Sequence, residues 1–167
     1  MPEDHPPRPR AQSPEDLPTI AEMASMTGIE FMEAIRAGRL PGAPIADTLD
    51  FRLETVEPGQ VTFRGRAPFR AYNPLGSVQG GWFGAILDAA MASAIHSLLP
   101  RGRSSTTLEY KINTVRPLFA DSGEVLCIGT AVHVGRRTAT AEGRVVGAED
   151  GKVYATGSTT CLVFDLA

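Results

Sequence analysis

Hydrophobic and polar residues follow three patterns in turn along this chain. In TGIEFMEAIRAGRLP, residues 27–41, the apolar positions Ile29, Phe31, Met32 and Ile35 fall mostly on one side of a helix. Thr27 with Glu30 has the capping-box spacing, and Gly38 with Pro41 supplies the stop. A short amphipathic helix packed on the main domain is expected there. From about residue 46 the period shortens. DTLDFRLETVEPGQVTFRGRA alternates apolar and polar residues about Pro58-Gly59 and predicts a hairpin. Residues 80–99 are almost wholly apolar or small and predict one long helix, stopped by Pro100 and Gly102.

Beyond residue 103 four more strands are expected. In STTLEYKINTVRP, alternation puts Leu108, Tyr110, Ile112 and Thr114 on one side. In GEVLCIGTAVHVGRR, Leu126, Ile128, Thr130, Val132 and Val134 alternate with Val125, Cys127, Gly129 and Ala131. RTATAEGRVVGAEDG ends at an Asp150-Gly151 turn, and KVYATGSTTCLVF follows. Strands with one long helix make the fold class α+β. A helix apolar on nearly every face must be enclosed, so the sheet is expected to curl around it. A membrane span is set aside, because the run is rich in Ala, Gly and Ser and carries Asp88 at its middle.

Composition adds boundaries. Residues 1–18 hold six of the thirteen prolines and read as a disordered tail. The chain then divides into an N-terminal helical extension, 19–45, and a main domain, 46–167. A net charge of −3 without a basic stripe argues against nucleic acid as a partner. Cys127 and Cys161 have no CxxC spacing, and His5, His96 and His133 form no metal-spaced pair. No metal, no cofactor and no disulfide framework are expected, and a reducing cytoplasm fits. The N-terminus has no apolar core of the signal-peptide kind. The phosphate-binding glycine loops and the GxSxG elbow are absent, and GGWFG lacks a following lysine.

What remains is a constellation around the long helix. Gly80 and Gly81 open it, where N–H groups are unpaired and the dipole is positive. Without a Cβ, a ligand oxygen can approach closely, as in an oxyanion hole. Asn73 and Gln79, just upstream, carry amide donors. Tight backbone packing at the glycines, a plain turn at Asn73-Pro74 and a solvent-facing Gln79 are the competing readings. Asp88 lies too deep for a cap, and a buried carboxylate demands donors or a raised pKa. Its competing reading is an acid on an exposed stripe or one paired with a structural arginine. Eight residues of helix rise about 12 Å, so one carbonyl cannot touch both the Gly80 N–H and Asp88 of the same helix. If both act on one carbon they come from two chains, and the site straddles a twofold interface.

Asn73, Gly76, Gly80-Gly81 and Asp88, followed by a strand ending near Arg116-Pro117, resemble the hotdog-fold acyl-CoA thioesterases of the PaaI-like, phenylacetate-degradation branch. The resemblance spans roughly residues 46–164. It implies a curved antiparallel sheet around a long helix, dimers joined edge to edge and often paired into tetramers, and hydrolysis of acyl-CoA to acid and CoA. It assigns the polarising N–H to Gly80, the nucleophile or general base to Asp88 of the partner chain, and water or carbonyl positioning to Asn73. Thr107 falls where some relatives carry a Ser or Thr that orients the water. Gln79 replaces the family histidine and cannot shuttle a proton near neutral pH. Arg136 and Arg137, in a turn between strands, are the candidates for the CoA phosphates, with a solvated turn as the competing reading and Arg101 and Arg103 behind them. Gly81 is a candidate for the substrate site, and Trp82, Phe83 and Met91 are candidates for the acyl pocket, with ordinary core as their competing reading. The alternatives are an acyl-CoA-binding hotdog module without turnover and, last, a hydratase or dehydratase.

Overall fold

The computed structural model describes residues 9–166. Residues 1–8, the first part of the expected tail together with His5, lie outside the described residues. Residues 14–16 form one 3-10 turn. Three short helices follow: α1 (Ile20–Ala24), α2 (Gly28–Arg36) and α3 (Pro44–Leu49). The capping box at α2 forms as the spacing predicts: the Thr27 N–H donates to Glu30 Oε2 at 2.8 Å, and the Glu30 N–H donates to Thr27 Oγ1 at 3.3 Å. Helix α3 was not expected. It covers residues assigned to the start of the hairpin, and Asp50, at φ 58° in the left-handed region, turns the chain out of it.

The hairpin is β1 (Phe51–Glu57) and β2 (Gln60–Gly65), turning at Gly59. Helix α4 (Gly80–His96) follows, then β3 (Arg103–Thr114), β4 (Val125–Val134), β5 (Thr138–Gly147) and β6 (Val153–Asp165). The strands form one antiparallel sheet in the order β1-β2-β4-β5-β6-β3, with β1 and β3 at the edges. Ile86, Leu87, Ala90, Met91, Ala94 and Ile95 of α4 are inaccessible to solvent. Each large one contributes roughly 1.5–3 kcal/mol by that burial. This is the sheet wrapped around a helix that the apolar run requires, the hotdog fold.

Close approach of helix and sheet depends on three glycines in register. Gly129 pairs with Gly143 and Gly143 with Gly157, so they form a row across β4, β5 and β6. A Cβ at Gly129 would sit 2.2 Å from the Ala90 carbonyl oxygen, and one at Gly143 would sit 2.9 Å from Leu87 and Met91. The helix backbone rests on this row.

The strand β3 departs from simple alternation. Its register against β6 shifts between Thr107 and Glu109, a bulge that leaves Leu108 exposed. Thr107 lies opposite the buried Cys161, and Tyr110 opposite the buried Thr159. Thr107 and Tyr110 therefore both face α4, and Leu108 does not share the face of Tyr110 as expected. Among the described residues, no helix is long and apolar enough to cross a membrane.

Candidate active site

The bulge decides what happens at Asp88. It turns the Thr107 hydroxyl toward α4, where Oγ1 donates to Asp88 Oδ1 at 2.7 Å. Asp88 is half-buried, and among the described residues it joins no ion pair. The reading of Asp88 as half of a structural arginine pair is thus removed. Cys161 Sγ stands 3.9 Å from the same hydroxyl. Burial pushes its thiol pKa up, with the nearby Asp88 charge adding to the effect, so it stays a neutral thiol and is no rival nucleophile. Cys127 is buried and free, its thiol likewise pushed up by burial.

Asp88 lines an apolar cavity of about 380 Å³. One wall is α4, with Ala89, Ala92, Ser93 and His96. The opposite wall is Met23, Phe31, Met32 and Ile35 of the N-terminal extension with Ala46 of α3, and Phe51, Leu53 and Phe63 of the hairpin also line the space. Arg10 and Asp47, 3.5 Å apart in an ion pair, also border the space. A second hollow of about 590 Å³ lies between side chains of four strands, among them Lys111, Glu142 and Arg144. It is larger but polar, and no catalytic candidate lines it, so the cavity beside Asp88 is the better substrate space.

The extension is held over α4 at both ends. At the C-terminal end, the Gly28 N–H donates to the Leu99 carbonyl at 2.9 Å and the Gly102 N–H to that of Ala24 at 3.1 Å. Arg101 donates to the Ser25 carbonyl and to Glu30, each at 2.9 Å. At the N-terminal end, Trp82 Nε1 donates to the Leu49 carbonyl at 2.8 Å, and Arg70 donates to that of Thr48 at 2.7 Å.

The other expected site residues fall into three groups. Gly80 and Gly81 open α4, and a Cβ on either would meet no atom within 4 Å. Packing within the chain therefore does not explain them, and their surroundings are open to a ligand or partner. Gln79 is the N-cap residue, exposed, with no side-chain capping bond. Asn73 is committed to its own loop. Its Oδ1 accepts from the Leu75 N–H at 2.9 Å, and its Nδ2 donates to Ser77 Oγ at 3.1 Å. It shapes the turn that leads to Gly80.

Trp82, Phe83 and Met91 are core residues, each 2% exposed or less, and do not line the cavity beside Asp88. They take the core reading, and the apolar side chains of the cavity come from α1, α2, α3 and the β1–β2 hairpin. Arg136 and Arg137 are exposed in the β4–β5 turn. Arg103 pairs with Asp165 at 3.0 Å and donates to the Arg136 carbonyl, so it and Arg101 are structural ties. The amphipathic pattern of residues 27–36 was the one sequence signal that pointed to the cavity's far wall.

Comparison with known proteins places this geometry. Residues 75–154, from the loop before α4 into β6, match the thioesterase superfamily. The fold is similar to a phenylacetic acid degradation-related protein from Ralstonia eutropha, at 29% identity, TM-score 0.71, and coverage of 79% of this chain and 98% of that one. It is also similar to a point mutant of the phenylacetic acid degradation protein PaaI from Thermus thermophilus, at 27% identity, TM-score 0.64, and coverage of 72% and 98%. A thioesterase from Haemophilus influenzae shares the fold at 20% identity, TM-score 0.67, and coverage of 73% and 83%. No curated protein matches the sequence. The superfamily and its PaaI-like structures support a thioester hydrolase, the class read from the residues around α4.

Proposed function

We propose that the chain is an acyl-CoA thioesterase that hydrolyses an aryl- or medium-chain acyl-CoA to the free acid and CoA. The observation that carries this reading is the 2.7 Å hydrogen bond from Thr107 to Asp88 at the wall of an apolar cavity. Asp88 acts as nucleophile or as general base. In the base route it takes a proton from water, the water oxygen bonds to the thioester carbon, and the C–S bond breaks as sulfur leaves and is protonated. Thr107 fixes the carboxylate, and its oxygen keeps a lone pair for the water.

The carbonyl oxygen accepts from the Gly80 N–H, in the field of the α4 N-terminus. Gly80 and Asp88 are about 12 Å apart along one helix, so they serve one carbon only from two chains. The twelve-residue edge strand β3, with Leu108 58% and Tyr110 46% exposed, supports an edge-to-edge homodimer, which can pair further into a homotetramer. Gly81 and Gln79 border the carbonyl site, Asn73 holds the loop before it, and Arg136 and Arg137 meet the CoA phosphates. No metal or cofactor takes part.

The test is CoA release from a panel of acyl-CoAs. Wild-type protein is expected to turn over medium-chain or arylacetyl thioesters. Asp88→Asn, folded and assembled as wild type, is expected to lose at least about 10³-fold in kcat. Full activity in that variant would refute the mechanism. Tight binding without turnover across the panel would instead favour the acyl-CoA-binding module, the outcome that Gln79 in place of histidine keeps in view.

A further inference from the structure

The cavity beside Asp88 has more structure than an acyl slot needs. A packed interior leaves few voids larger than a water molecule. Here a partly open pocket of about 380 Å³ lies among α4, the β1–β2 hairpin and an extension tied down at both ends of that helix. The space is therefore a built chamber. Asp88 stands toward one end and His96 two turns further along, about 12 Å down the helix axis. An extended chain advances about 1.2 Å per bond, so about eight to ten atoms span that distance.

The far end is polar. Ser93, His96, Ser104 and Ser105 all line the chamber. Among the described residues, none of their side chains makes a hydrogen bond. Their polar atoms are not sealed off either, so a ligand can reach them. Phe31 holds the His96 ring edge-on, with centroids 5.5 Å apart. Gly28 lies so close to the His96 backbone that a Cβ there would overlap its carbonyl oxygen. The imidazole is thus fixed in place and not frayed toward solvent. Burial lowers its pKa, so near neutral pH it is uncharged, with one donor and one acceptor nitrogen. The serines likewise offer donor and acceptor. At the near end, Arg10 and Asp47 neutralise each other. Arg52, which also lines the chamber, pairs with Glu54 at 3.7 Å and Glu124 at 3.8 Å, so neither lining arginine is free to receive a carboxylate.

We propose that this chamber takes a medium-chain acyl group ending in a hydroxyl, which His96 and the neighbouring serines recognise. The inference rests on the thioesterase reading for its substrate and deepens it. His96 is then a specificity-determining residue, about 12 Å from the chemistry.

The experiment compares octanoyl-CoA, ω-hydroxyoctanoyl-CoA and ω-carboxyoctanoyl-CoA by CoA release. The hydroxylated substrate is expected to show about tenfold higher kcat/KM than the plain one, the equivalent of about 1.4 kcal/mol. The carboxylated substrate is expected to be the poorest. His96→Leu should bring the hydroxy-to-plain ratio to about one, and His96→Gln, which keeps a donor and an acceptor, should retain part of it. A ratio of one or less in the wild type would overturn the proposal without any variant. Binding of the octyl- and ω-hydroxyoctyl-CoA thioethers, measured by calorimetry, separates the two readings. Tighter binding of the hydroxylated thioether with no thioester cleaved would leave the chamber standing and end the catalytic reading. Cleavage at equal rates with equal thioether binding would do the reverse.

Discussion

The two sides of α4 are built on opposite rules. Toward the sheet, the glycine row 129, 143 and 157 brings strand and helix backbones into contact, and the α4 side chains facing it are inaccessible to solvent. Toward the N-terminal extension, α4 presents Asp88, Ala89, Ala92, Ser93 and His96, all partly exposed, across open space. Nothing in helix propensity distinguishes the two sides. The difference lies in what each opposes: a sheet whose glycines admit the helix, and a strap of short helices held off it by its end ties. The filled side supplies stability, and the open side is where chemistry can be done.

Paired substitutions break this comparison most sharply. Gly129→Val forces a side chain into the Ala90 carbonyl and is expected to destabilise by at least about 3 kcal/mol in urea unfolding. Ala92→Val, on the open side, is expected to change stability by less than about 1 kcal/mol. Equal costs would mean that the chamber is an ordinary packed interface.

The next effect is on turnover. Thr107→Val removes a hydrogen bond to a charged group and is expected to lower kcat about 10- to 100-fold, while Thr107→Ser restores most of it. An unchanged kcat in the valine variant would make the hydroxyl a packing group only.

The smallest effect concerns His96. Its folded pKa lies below the ordinary 6.5 because burial disfavours the charged ring. The unfolded chain then binds more protons just below that pH. Stability is expected to be fully present above about pH 6.5 and to fall as pH drops toward the folded value. Thermal unfolding between about pH 7.5 and about pH 5.5 should show this decline, and His96→Leu should flatten it. A slope unchanged by the substitution would place the ring in water.

The architecture was legible because it follows from period and polarity. The hairpin, the apolar helix and the later strands repeat on two clear periods, and Asp88 stood out as one acid in an apolar run. The Thr107 contact was not legible from alternation. A bulge at Leu108 changes which residues face inward, and a strict period of two puts Thr107 and Tyr110 on opposite faces. Family resemblance, not periodicity, singled out Thr107. The lining of the cavity was not legible for a related reason. Trp82, Phe83 and Met91, like Ile86, Leu87 and Ile95, are large apolar residues of α4 that fill the core, and space survives beside small ones such as Ala89 and Ala92. Helix α3 was not legible because Leu49, Phe51 and Leu53 alternate with the polar Asp50 and Arg52 straight through its end, and the break at Asp50 is one residue long.

A crystal structure of the protein with octyl-CoA thioether tests the central claim most directly. The account predicts the alkyl chain between α2 and α4, pointing toward His96, with the thioether sulfur beside the Asp88–Thr107 pair. An alkyl chain lodged elsewhere, with the chamber under the extension unchanged and Asp88 remote from sulfur, would contradict it.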